Sequence, residues 1–148
     1  MATIAAVYEI LRARVEAAAL RSTPTARWRH QPVRTQPLVT SGQIRGYDIS
    51  IEAVRPSIAS DGQVVFYHVD FVLEVGYYAP DGAATHTVAC VAVEDARALI
   101  ESVSQHFGSA DGLTVETPGP VAVAYEPQSD LAPPMVTLSI AMAAIVAR

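Results

Sequence analysis

The amino-acid sequence predicts an α+β fold, with one mainly antiparallel sheet, a long β-hairpin and two helices packed on one face. Three observations carry this expectation. Apolar residues recur at helical spacing near the start and again over residues 94–107. Residues 63–78 and 135–147 alternate with the two-residue period of strands. The pairs Asp61-Gly62 and Asp81-Gly82 punctuate the chain where it must turn. The 148 residues fit a single domain spanning 1–148, with a basic extended loop or arm at 21–43.

The first helix is expected over residues 4–20. Ile4, Val7, Leu11 and Val15 form its stripe, Ile10, Ala18 and Ala19 widen it, and Glu9, Arg12 and Glu16 share the wet side. Thr3 has the hydroxyl an N-cap needs to accept an amide hydrogen of the first turn. Residues 21–43 lack periodicity, and Pro24, Pro32 and Pro37 exclude a continuous helix there.

A strand follows over 44–55, then a turn or loop over 56–62 containing Pro56 and Asp61-Gly62. Residues 63–78 are the strongest strand, long enough at ~3.3 Å per residue to outrun an ordinary core. Ala79-Pro80-Asp81-Gly82 reads as the turn of the hairpin, and 85–93 as its returning strand. The second helix is expected over 94–107. Ala96, Leu99, Ile100, Val103 and Phe107 form its buried stripe, Glu94 and Asp95 suit its positive end, and Gly108 stops it. Short strand pieces at 113–117 and 120–125, a proline-rich loop at 126–134 and a closing strand at 135–147 complete the chain. The run from Ala141 to Ala147 also suits a helix, but the Val136-Thr137-Leu138-Ser139-Ile140 alternation before it favours strand.

Composition narrows the function classes. At 51% hydrophobic and 17% charged, the chain is globular rather than disordered. No apolar run reaches the ~18 residues of a membrane span, and Glu9 and Arg12 interrupt the opening run, so neither a span nor a signal peptide is expected. The lone Cys90 excludes an internal disulfide and a thiolate metal cage, a usage that fits a cytosolic protein. Every basic side chain is arginine, and the charge is split: residues 1–55 carry a net +4 and residues 56–148 a net −9. That split argues against a general nucleic-acid binder and fits a basic segment that meets an acidic surface on a neighbouring copy.

The chain carries no phosphate-binding loop, dinucleotide fingerprint, His-Glu-x-x-His or nucleophile elbow. Cys90 falls mid-strand in this reading and is expected as a small buried hydrophobe. His68, Asp70 and His86 are the one constellation with metal-ligand chemistry, but the expected hairpin register sets His86 opposite Phe71 to Glu74 rather than His68. No catalytic, cofactor-binding or metal-binding residue is therefore assigned, and no enzyme is expected. The residues singled out are interfacial: Arg27, Trp28, Arg29 and Arg34 in the arm, and Pro80, Asp81 and Gly82 at the expected hairpin tip. Arginine's planar fork holds carboxylates, and an aromatic flanked by arginines makes an interface anchor.

The order of elements resembles the tail terminator proteins of long-tailed bacteriophages, also called tail-completion or neck proteins. The resembling features are the opening helix Val7-Tyr8-Glu9-Ile10-Leu11-Arg12-Ala13, the long strand from Tyr67 to Val75, and the helix Glu94-Asp95-Ala96-Arg97-Ala98-Leu99-Ile100. The ending, Tyr125-Glu126-Pro127 followed by Met135-Val136-Thr137-Leu138-Ser139-Ile140, is similar as well. The resemblance covers most of the chain except the 21–43 arm, as a pattern of elements rather than a strict motif. It implies a structural virion assembly protein: a homo-oligomeric ring, a hexamer, that caps the tail-tube protein and joins the tail to the head connector or adaptor protein. DNA would pass through the ring's channel without specific binding, and the acid excess of residues 56–148 suits such a lining. The location implied is the virion tail or neck, reached from the host cytoplasm during assembly. Two alternatives stand beside it: a head-completion or minor tail protein, and a small α+β ligand-binding or enzyme domain with a pocket near Tyr67 and His68.

Overall fold

The computed structural model describes residues 3–20, 25, 27–32, 38, 44–78, 85–104, 112–117, 120–126 and 134–147. Its elements are α1 (Ile4–Glu16), β1 (Arg27–His30), β2 (Ile44–Ile58), β3 (Val64–Tyr78), α2 (Thr85–Val103), β4 (Thr114–Glu116), β5 (Val121–Glu126) and β6 (Met135–Ala147). The strands form one sheet in the order β1-β2-β3-β6-β4, and β5 pairs with β6 beside β4. Every pairing is antiparallel except β1 with β2, which is parallel. This is the α+β class that the two periodicities predict.

One face of the sheet is apolar because side chains repeat every two residues. Val69, Phe71, Leu73, Val75 and Tyr77 of β3 stand in register with Ala144, Met142, Ile140, Leu138 and Val136 of β6, and all ten are buried. Tyr47 and Ile49 extend this face across β2. Against it lie Val7, Leu11 and Val15 of α1 and Ala92, Ala96, Leu99 and Val103 of α2. Both helices therefore cover the same face. On α1, the Thr3 hydroxyl accepts the Ala6 amide at 3.1 Å, as its capping chemistry predicts.

The long hairpin is not the one expected. Residues 85–93 belong to α2, and the strand that pairs with β3 along its length is β2. The hairpin turn is at 59–63, where Gly62 adopts φ +83° and the Gln63 amide donates to Asp61 Oδ1 at 3.0 Å. A left-handed backbone favours glycine, so Asp61-Gly62 is the hairpin signal. The Thr85-His86-Thr87-Val88 stretch looks strand-like because β-branched residues fill it. Yet Ala89, Ala92, Ala96, Leu99 and Val103 recur at helical spacing, and all are buried. Tertiary burial of that stripe overrides the local β preference. Phe107 and Gly108, expected to end this helix, lie outside the described residues.

Two further boundaries move. The first helix stops at Glu16, because the Ala18 amide turns back to the Val15 carbonyl at 3.0 Å. Leu20 still reaches the core, from a non-helical segment, so its apolar character alone does not mark the helix end. Within the 21–43 arm, Arg27–His30 forms a strand rather than a loop, and Leu38 lies against Gly76 and Met135 on the sheet face opposite the helices. The closing strand runs Met135–Ala147 as expected. Its alanine run is strand because β3 pairs one side of it while β4 and β5 share the other.

Candidate functional site

The residues singled out in the arm separate by face. Trp28 stands beside Arg45 in the register and so projects on the helix side. There its ring meets Tyr47 edge-on, with centroids 5.5 Å apart, and it is half-buried within its own chain. Arg27 and Arg29 occupy the alternate positions, beside Ile44 and Gly46, and both are exposed. Arg34, Pro80, Asp81 and Gly82 lie outside the described residues. The last three no longer mark a hairpin tip, since the chain enters α2 after them.

β1 is fastened by a group of polar rings. Tyr8 Oη on α1 lies 2.6 Å from His30 Nε2. The Tyr47 hydroxyl donates to Glu16 Oε1 at 2.6 Å, and Arg12 Nε lies 3.4 Å from the same hydroxyl. Burial, helped by the Arg12 charge, lowers the His30 pKa from its ordinary 6.5 despite Asp48 Oδ1 at 3.8 Å. The imidazole is therefore neutral at pH 7, and the Asp48 contact is not an ion pair. Burial also raises the Tyr47 and Tyr8 pKa values, so both hydroxyls keep their protons. The group holds the arm to α1 and β2 by hydrogen bonds, and its chemistry is that of a fastening rather than of proton transfer.

A second polar group sits deeper. The Tyr77 hydroxyl donates to Asp95 Oδ2 at 2.9 Å, and Asp95 is fully buried. Arg45 lies over the Tyr77 ring, 4.2 Å from its centroid, and donates from Nη1 to the Gly76 carbonyl at 3.1 Å. Asp95, expected as a helix-start acid, is instead mid-helix and ties α2 to the sheet. Burial foremost, and Asp95 after it, pushes the Tyr77 pKa far up, which keeps the hydroxyl a donor.

The histidine constellation is dispersed. Asp70 makes a bidentate pair with Arg55 at 2.8 and 2.9 Å, and that hydrogen bonding lowers its pKa. His68 shares the face of Asp70 away from the helices, whereas His86 is exposed on α2. Tyr67 stands beside Val146 on the helix side and His68 beside Ile145 on the other, so the two side chains do not line one pocket wall. Cys90 is exposed on α2, not buried in a strand. Among the described residues, no three His, Cys, Asp or Glu side chains gather as metal ligands would, and no helix is long and apolar enough to cross a membrane.

What the surface does present is an apolar shelf. Fifteen-residue strands β2 and β3 span about 50 Å at ~3.3 Å per residue, against about 20 Å for α1 and 28 Å for α2. On the sheet, Ile51, Val54 and Val65 are 48%, 49% and 51% exposed. Their register partners are Phe71 and Val69 for the first two, which places them on the helix side. Sequence reading reached this surface only as excess strand length. Arg14, a buried side chain at the junction of the helices, was legible from its place three residues after Leu11 on the apolar stripe. Compared with known proteins, the chain matches no family model and no curated sequence.

Proposed function

We propose that this chain is a structural assembly protein, a ring-forming tail terminator that caps a tail tube and joins it to the head connector. The reading rests on the resemblance in element order. One observation supports it most: Ile51, Val54 and Val65 are exposed on the core side of the sheet. Exposed apolar side chains on one face of a sheet are what a protein-contact face supplies. The Tyr8–His30 and Tyr77–Asp95 pairs fasten elements to one another, which agrees with a protein that acts through its surfaces. The test is native mass together with negative-stain imaging of the purified protein. A closed ring near six times the 15.7 kDa chain mass is expected. A monomer at every concentration tested overturns the reading.

A further inference from the structure

We infer that β1 is an acid-released edge strand: proton uptake by His30 detaches Arg27–His30 from α1 and β2 while the rest of the fold stays closed. Such a release needs no second copy and stands apart from the assembly reading above.

The strand is held lightly. It is four residues long, and among the described residues its one strand neighbour is β2, with which it runs parallel. Parallel pairing is slightly weaker per residue than antiparallel pairing. Arg27 and Arg29 are exposed, so the side chains that hold β1 inward are those of Trp28 and His30. Their rings lie 5.5 and 5.3 Å from the Tyr47 ring. The buried cluster between sheet and helices contains no β1 residue, and Trp28 packs at its margin. An edge segment with so few buried contacts opens at lower cost than the core.

His30 is the group that senses acid. Its side chain is 13% exposed, and its Nε2 lies 2.6 Å from Tyr8 Oη on α1. A neutral imidazole can accept the Tyr8 proton at Nε2, and an imidazolium cannot. A charged ring would also sit between the Tyr8 and Tyr47 rings, largely cut off from water, and burial of that kind disfavours the charged form.

The groups facing the imidazole are Tyr8, Glu9, Arg12 and Glu16 from α1, and Tyr47 and Asp48 from β2. Asp48, 3.8 Å from Nε2, and the two glutamates favour the proton. Burial and the Arg12 charge oppose it and prevail, so the docked ring binds its proton less readily than a solvated one. In the released strand the ring takes its proton near the ordinary 6.5. Docking is therefore complete above about pH 6.5 and weakens as pH falls toward the docked value. Release frees the Ile44–Tyr47 edge of β2.

Amide hydrogen exchange read by NMR tests this on the wild-type chain. The Gln31 amide donates to the Tyr47 carbonyl at 2.8 Å and so reports the docking of β1. Leu73 and Ile140, partners in the middle of the sheet, report the core. With each residue's intrinsic rate corrected at each pH, Gln31 protection should fall by about threefold or more between pH 7.5 and pH 5. At both pH values it should lie below that of Leu73 and Ile140 and stay unchanged in low urea, because a local opening exposes little surface. The His30 ring should titrate below pH 6.5 in the same samples. His30→Gln, with its fold checked by circular dichroism, should abolish the fall. Gln31 protection that equals the core values or does not change with pH overturns the inference. So does a His30 midpoint at or above 6.5, or an undiminished fall in His30→Gln.

Discussion

Arg14 provides the sharpest test of how the two helices are held. The residue is 3% exposed, and its guanidinium donates from Nη1 to the Val103 carbonyl at 3.0 Å and from Nη2 to the Leu113 carbonyl at 2.6 Å. The Ser102 hydroxyl donates in return to the Arg14 carbonyl at 2.5 Å. One side chain of α1 thus satisfies a carbonyl at the end of α2 and another just before β4. Arg14→Leu keeps apolar bulk and removes both charge-assisted bonds, each worth about 1.5–3 kcal/mol. Relief of guanidinium burial offsets part of that, leaving an expected loss of about 2–4 kcal/mol. With a urea slope of about 2 kcal/mol per molar, the midpoint should fall by about 1–2 M at unchanged slope. Arg12→Leu is the control, since Arg12 is partly exposed, its contact with the Tyr47 hydroxyl is long at 3.4 Å, and its pairs with Glu9 and Glu16, at 3.4 and 3.8 Å, are surface contacts. It should cost less than about 1 kcal/mol. Equal midpoints for Arg14→Leu and wild type would refute the clasp.

Two further outcomes follow from the arm's contacts. At Gly76 an added Cβ would lie 2.9 Å from Leu38 Cβ and 3.3 Å from both the Leu38 carbonyl and Met135 Cε. Gly76→Ala should therefore lower stability by up to about 2 kcal/mol, as overpacking outweighs the usual gain from replacing a strand glycine, and a melting temperature equal to or above wild type would contradict this contact. The lowered His30 pKa makes stability depend on pH, because the folded state disfavours the proton that the unfolded chain accepts near pH 6.5. That contribution is complete above about pH 6.5 and is lost as pH falls toward the folded value. His30→Gln should flatten the change in urea midpoint between pH 7.5 and pH 5, and a slope identical to wild type would remove His30 as its source.

The fold class is legible because both periodicities are strong where burial is one-sided. Met135–Ala147 reads as a strand since its alternation survives an alanine-rich composition, and α1 reads as a helix from Val7, Leu11 and Val15. The hairpin is misread at one point: two Asp-Gly pairs compete, and only the one at Gly62 lies between paired strands. Residues 85–93 mislead because Val91 and Val93, which look like strand residues, are on the exposed side of a helix whose buried side is alanine. The arm's arginines are legible as interfacial candidates, but not the strand that orders them, since a four-residue edge strand leaves no periodic trace. The fastening of Tyr77 to Asp95 is a long-range pairing that no local pattern encodes.

The most direct measurement of the proposed role is the length of tail tubes assembled in the presence of this protein. A tail-tube protein is polymerised alone and with increasing amounts of the purified chain, and the products are imaged by negative-stain electron microscopy. If the proposed role holds, one ring of density is added at a single tube end, and tube length falls to a plateau as the added protein saturates those ends. Tubes of unchanged length with bare ends would contradict the role.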